Sequence, residues 1–263
     1  MIEKSSKQNS FIPDAWESLK AFTNARIALG RAGVAPPLKE ILDFRMCHAH
    51  ARDAVYSVLN IDELTGALQQ FQIPVITVNS KASDRAVYLQ RPDLGRKLNN
   101  ASASNLKNVR EDSFGETSHS ADVAIIIADG LSATAINEHA VHVVKKLIPL
   151  LKQSVLTLTP LVIAEQARVA IADEIGSILQ AKLSVILIGE RPGLSSPDSM
   201  GAYITYQPVP GKTDESRNCI SNIRPQGLEY ALAATKIAKL IKTSLQLKLS
   251  GISLKDEDQI LLQ

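Results

Sequence analysis

A chain of 263 residues that is 45% hydrophobic and 21% charged can bury a sizeable core, as one or two domains. Its 29 basic and 27 acidic residues leave a formal net charge of +2, which excludes a broad electrostatic attraction to nucleic acid or an anionic membrane. Met1 to Ser10 carries no apolar segment and nothing downstream is apolar enough to span a bilayer, so a cytoplasmic chain is expected, with Cys47 and Cys219 as reduced thiols rather than a disulfide or a structural metal site.

The chain opens with a tail, residues 1–15, that lacks apolar periodicity. Residues 16–72 read as a small helical N-terminal region: helical spacing recurs from Trp16 to Arg31, from Pro37 to Leu59 and from Asp62 to Phe71, with Gly30, Gly33 and Pro36-Pro37 as breaks. Leu38, Ile41, Leu42, Ala54, Val55, Val58 and Leu59 mark its apolar side. His48 and His50 lie two apart and so point to different sides of a helix, which argues against a metal there.

Residues 73–263 form the α/β domain. Ile73–Val78 and Ala86–Leu89 read as strands, the second running into Arg91-Pro92-Asp93-Leu94-Gly95-Arg96-Lys97, a turn bearing three cations. Asn99–Ser120 reads as a frayed helix followed by a loop and is where an insertion is expected; against the family named below, Asn108–Ser120 is the longer part. Val123–Ala128 is a buried strand, Asp129-Gly130-Leu131-Ser132 a turn that caps the next helix, Val155–Thr159 another strand, and Ile171 to Leu179 a helix. The run Val185–Ile188 is uninterrupted by any polar residue and stops at Glu190-Arg191-Pro192-Gly193, as a strand buried on both faces does where it leaves a parallel sheet. Ala202–Tyr206 and Asn218–Ile223 are further strands, and Gly227–Leu249 is a closing helix with Leu232, Ile237, Leu240, Ile241 and Leu245 inward. Strand and helix alternation predicts a Rossmann-like parallel sheet flanked by helices.

Open α/β sheets bind ligands at the carboxyl ends of their strands, which makes Glu190 and Arg191 the first suspects. The chain has no G-x-G-x-x-G and no G-x-x-x-x-G-K-[ST] loop, so the usual phosphate cradles are absent, and it has neither H-E-x-x-H nor G-x-S-x-G. His139 and His142 can share a helix face, without a second ligand at metal spacing except Glu138.

Five segments in order, Arg91–Leu98, Ala128–Ala133, Arg168–Gly176, Gly189–Leu194 and Cys219–Ile223, together resemble the small (light) subunit of ethanolamine ammonia-lyase over roughly Ala25 to Gly251. The resemblance implies an adenosylcobalamin-dependent radical lyase that converts ethanolamine to acetaldehyde and ammonia. It implies a hetero-oligomer of several large and small subunit pairs, with substrate held in the large subunit's barrel and the small subunit closing over the cobalamin. Carried over by motif, the cofactor-binding positions are Val169, Glu190 and Cys219, with Asp129, Arg191 and Arg91 added from their turn positions. No catalytic residue or metal ligand is implied on this chain, which is expected to be inactive alone. None of the five histidines stands in a D-x-H-x-x-G pattern, so the cobalamin is expected base-on.

Three departures stand out. Ala167 occupies a position where the family has glycine, which would strain the loop if φ there is positive. Ser195-Ser196-Pro197 lacks an expected glycine, and Met1–Pro13 has no amphipathic face of the kind that directs relatives into bacterial microcompartments. Two other readings remain open: a scaffold subunit without cobalamin contact, and a stand-alone enzyme acting on a nucleotide or sugar phosphate.

Overall fold

The computed structural model describes residues 11–12, 14–23, 25–114 and 121–254. A short antiparallel ribbon of β1 (Phe11–Ile12) and β2 (Arg31–Ala32) precedes α1 (Leu38–Tyr56) and α2 (Ile61–Leu68). The main domain follows as β3 (Val75–Asn79), α3 (Arg85–Gln90), α4 (Asn100–Phe114), β4 (Val123–Ala128), α5 (Ala133–Gln153), β5 (Leu161–Glu165), α6 (Ile171–Ile178) and β6 (Leu183–Gly189). It ends with β7 (Met200–Tyr206), β8 (Arg217–Ile223) and α7 (Tyr230–Leu247). No helix among the described residues is long and apolar enough to cross a membrane.

The six strands of the sheet run in the order β3-β5-β4-β6-β7-β8. Period-two alternation along the buried strands sorts their side chains between two cores: Val123, Ile125 and Ile127 of β4 join α5 and α7 on one face, whereas Ala124, Ile126 and Ala128 join α4 and α6 on the other. Because both faces are covered, every residue of β4 and of β6 is buried, as the apolar runs Val123–Ala128 and Val185–Ile188 require. Ser132 caps α5 by accepting the Ala135 amide at 3.3 Å.

The sheet is mixed rather than parallel throughout: β3, β5, β4 and β6 are parallel, but β7 runs antiparallel to both β6 and β8. The segment between Gly189 and Met200 holds no helix, and a parallel return needs a crossover of a dozen or more residues, so β7 can only turn back. Three local readings also change. Ala86–Leu89 belongs to helix α3, started by Asp84, whose carboxylate accepts the Val87 amide at 2.9 Å. Val155–Thr159 is a connection that leaves α5 through a left-handed residue, Val155 (φ 57°), and the strand is instead Leu161–Glu165, opened by Pro160, which has no amide to give a ladder. Among the described residues of Trp16–Arg31 the helical structure is a short 3₁₀ turn, Glu17–Phe22, with no buried residue, and Arg31 begins β2.

The N-terminal region keeps little of its apolar side inside the chain. Leu38, Leu42, Phe44, Met46 and Tyr56 of α1 are exposed, as are Trp16, Val58 and, at 85%, Phe22; of α1 only Ala54 is buried. Leu232, expected to face inward from α7, is also exposed. The helical spacing within α1 is real, but among the described residues nothing covers the side it marks.

Candidate functional site

The connections leave the neighbouring strands β4 and β6 in opposite directions, toward β5 and toward β7, with α5 and α6 on opposite faces, and a ligand crevice forms at such a switch. A cleft of about 400 Å³ opens there, lined by Gly130 and Leu131 after β4, Arg168 and Val169 after β5, Gly189, Glu190 and Arg191 after β6, with Tyr88 and Tyr203. Its floor is a close backbone contact. Gly130 has φ +58° and the Leu131 amide donates to the Gly189 carbonyl at 2.9 Å; a Cβ on Gly189 would stand 2.0 Å from the Ser132 oxygen.

Asp129 fixes one wall without lining the cleft. Its carboxylate accepts the amides of Gly130, Ala167 and Gln166, each at 2.9 Å, and pairs with the Arg85 guanidinium at 3.4 Å, so the turn after β4 is bound to the loop after β5. Burial pushes this carboxyl up to about 6, against the lowering pull of the Ala167 amide, Arg85 and the Gln166 amide. Between about pH 4 and 6 the folded chain therefore holds a proton that the unfolded chain releases, and this residue's contribution to stability falls as pH rises through that window. A carbon-13 titration of the Asp129 carboxyl is expected to show a midpoint near 6; a midpoint below 4 would show that the amide bonds outweigh burial. Ala167 is buried and not left-handed: the positive φ falls on the preceding Gln166 (φ 50°), so the alanine is accommodated without strain.

Tyr88 forms the centre of the same wall. Its hydroxyl donates to the Ala167 carbonyl at 3.2 Å, and two guanidinium groups lie over its ring, Arg85 at 4.6 Å and Arg168 at 4.2 Å from the ring centre. On the opposite wall the Glu190 Oε2 accepts the Ser199 hydroxyl and the Asn222 amide, the latter at 3.3 Å, which ties the exit of β6 to the entry of β7 and the end of β8. Among the described residues nothing donates to Glu190 Oε1.

Of the expected site residues, Val169, Glu190 and Arg191 border one cleft. Cys219 lies beside it on β8, exposed, paired in register with the cleft residue Tyr203. Partial burial raises the Cys219 thiol, opposed by the Tyr203 hydroxyl and reinforced by the Glu190 charge, so it stays protonated at neutral pH and suits a contact rather than a nucleophile. Arg91 is not brought to the cleft, because its guanidinium closes into a bidentate pair with Asp93 at 2.9 and 2.8 Å. Asp129 is turned inward, as described. Tyr88, Arg168 and Tyr203 as cleft residues, with Ser199 behind Glu190, escaped the sequence reading; an Asp84 cap ahead of Val87 and Tyr88 was the available signal for α3.

A second polar cluster sits behind the Glu190 loop. The Glu138 and Asp198 carboxylates and His139 place ligand atoms within 4.8 Å of one another. His139 is buried, with Nε2 3.3 Å from Asp198 Oδ2 and Nδ1 2.9 Å from the Tyr230 hydroxyl, while His142 stacks on the Tyr230 ring at 5.2 Å. Arg224 holds the other Asp198 oxygen at 3.5 Å and the Ser195 carbonyl at 3.3 Å, and Ser132 donates to the Pro197 carbonyl at 2.8 Å. Both His139 nitrogens are thus satisfied within the chain, and the cluster fastens the loop between β6 and β7.

Residues 13–255 match the family model described as ethanolamine ammonia-lyase light chain. The ethanolamine ammonia-lyase small subunit of Xanthomonas campestris pv. campestris is 48% identical to this chain, over 93% of it and 88% of its own length. Those of Azotobacter vinelandii and Pseudomonas aeruginosa (strain LESB58) are each 47% identical, covering 93% and 95% of this chain and 89% and 92% of their own.

Proposed function

The chain belongs to the ethanolamine ammonia-lyase light chain family, and from that membership we propose that it completes a cobalamin site together with a large catalytic subunit. The observation that carries this reading is the convergence of Val169, Glu190 and Arg191 on one cleft at the carboxyl edge of the sheet, with Cys219 at its side.

The residues suit the ligand. A corrin ring is a broad apolar plate edged by amide side chains. Val169, Leu131 and Ile188 offer the cleft apolar surface, and Glu190 Oε1, without a donor among the described residues, can accept an amide N–H. When bound, adenosylcobalamin supplies the radical that begins the conversion of ethanolamine to acetaldehyde and ammonia. This chain's part is to hold and cover: Asp129 and Ser132 lock the turn after β4, Ser199 orients Glu190, and the cleft walls exclude water from one side. The cobalamin is proposed to bind base-on as far as this chain is concerned, because none of its five histidines stands in a D-x-H-x-x-G pattern.

The exposed apolar surface of the N-terminal region supports a heteromeric complex, because exposed patches of this kind mark protein contacts. The chain alone is therefore proposed to be inactive. The test is an acetaldehyde assay with ethanolamine and adenosylcobalamin, on the chain by itself and after reconstitution with the large subunit. Activity is expected only in the complex, and Glu190→Gln should weaken cobalamin binding there by about 1 to 3 kcal/mol without loss of fold. Turnover by the isolated chain, or full activity of the large subunit without it, would overturn the reading.

A further inference from the structure

We propose that Arg168 and Arg191 form an anion-recognising edge of this cleft and receive the phosphodiester of the cobalamin nucleotide loop. The inference rests on the cofactor reading above and adds to it which part of the ligand these side chains address.

It starts from a charge census. Arg52, Arg85, Arg91, Arg217 and Arg224 each have a carboxylate partner: Asp53, Asp129, Asp93, Asp173 and Asp198 respectively. Arg168 and Arg191 border the cleft and form no ion pair among the described residues. The carboxylates nearby are committed elsewhere, Asp129 to three amides and Arg85, Glu190 through Oε2 to Ser199 and the Asn222 amide.

Arg168 is also preset. Its guanidinium lies 4.2 Å over the Tyr88 ring, Nη2 donates to the Tyr88 carbonyl at 3.3 Å, and its stem is pressed by Gly95, where a Cβ would stand 2.9 Å from Arg168 Cγ. Its Nη1 makes no hydrogen bond among the described residues. A partly buried cation with a spare donor, already held by stacking, gains from an anion that offers it oxygen atoms and gives up little rotamer freedom to bind it. Cobalamin's periphery consists of amides and one ionised group, the phosphodiester. The unpaired guanidinium groups therefore match that group, as Glu190 matches an amide.

The experiment uses the complex with the large subunit and measures dissociation constants for three corrinoids: cobalamin, cobinamide phosphate and cobinamide, the last without phosphate. The unmodified complex should bind the first two more tightly than the third. In the double variant Arg168→Gln, Arg191→Gln the affinity for cobalamin and cobinamide phosphate should fall about 10- to 100-fold, with cobinamide unchanged. Arg191→Gln alone, at an exposed position that leaves the fold intact, should show part of the same selective loss. Equal losses for all three corrinoids would assign Arg168 a packing role only and overturn the proposal, as would no loss for any. If the unmodified complex binds none of the three, the cofactor reading itself fails.

Discussion

Arg217→Ala is expected to lower the stability of the chain by about 3 to 5 kcal/mol at pH 7, the cost of leaving one partner of a buried ion pair alone. Arg217 and Asp173 are 2% and 1% exposed, and their contact joins the start of β8 to α6 across the sheet. Arg217 also donates to the Thr213 and Lys212 carbonyls, so its removal strands several acceptors at once. Burial already pushes the Asp173 carboxyl up to about 6, opposed chiefly by the Arg217 charge. Without that charge the carboxyl rises further, and the folded variant takes up a proton that the unfolded chain lacks. The variant should therefore recover stability as pH falls from 8 to 5, and its deficit in urea unfolding should shrink in the same direction. Replacing both partners with apolar residues of similar size should restore most of the loss. A deficit under about 1 kcal/mol at pH 7 would show that the pair is not held as described.

Gly189→Ala should be nearly as damaging, by about 3 kcal/mol or more, through overpacking rather than charge. The added methyl meets the Ser132 oxygen at 2.0 Å and the Asp129 oxygen at 2.5 Å, both backbone atoms that no side-chain rotation can move. Relief requires the turn after β4 to part from the end of β6, which is the floor of the cleft. Loss of corrinoid binding in the reconstituted complex should accompany the fall in melting temperature. Gly66→Ala is the internal control: nothing lies within 4 Å of the new methyl on α2, and helix propensity favours it by about 0.5 to 1 kcal/mol. A tolerated Gly189→Ala with intact binding would refute the close contact.

These two sites differ in how far the sequence announces them. The strands β4 and β6 are legible because their apolar runs have no polar interruption, and α5 and α7 because their periodicity lasts several turns. Strand direction is not written in such runs. The turn-back of β7 depends on what fits between Gly189 and Met200, and the choice between Val155–Thr159 and Leu161–Glu165 depends on which run the neighbouring strands can cover. Cleft residues are legible where they leave a buried strand, as Glu190 and Arg191 do, and Val169 came with its motif. Arg91 and Asp129 looked equivalent in their turns, yet Arg91 is captured by Asp93 two residues on and Asp129 by amides nearly forty residues away. The Arg85, Tyr88 and Arg168 stack brings α3 against the loop after β5, a meeting that only the tertiary fold creates.

The position of β3 at the edge of the sheet also has a consequence in time. β7 and β8 each find a partner in the strand made just before, but β3 pairs only with β5, so Val75–Asn79 is synthesised long before Leu161–Glu165 exists. Until the ribosome has passed Glu165, Val75, Ile76 and Val78 have no ladder to join, and β4 cannot substitute because the final order inserts β5 between them. The nascent chain thus carries an apolar strand that waits, with Pro74 at its mouth as a guard against pairing with the wrong neighbour. The wall that holds Tyr88 and Arg85, which follows β3, can close only at that late moment, so the cleft is assembled from its β6 side and its β3 side at different stages of the chain's birth.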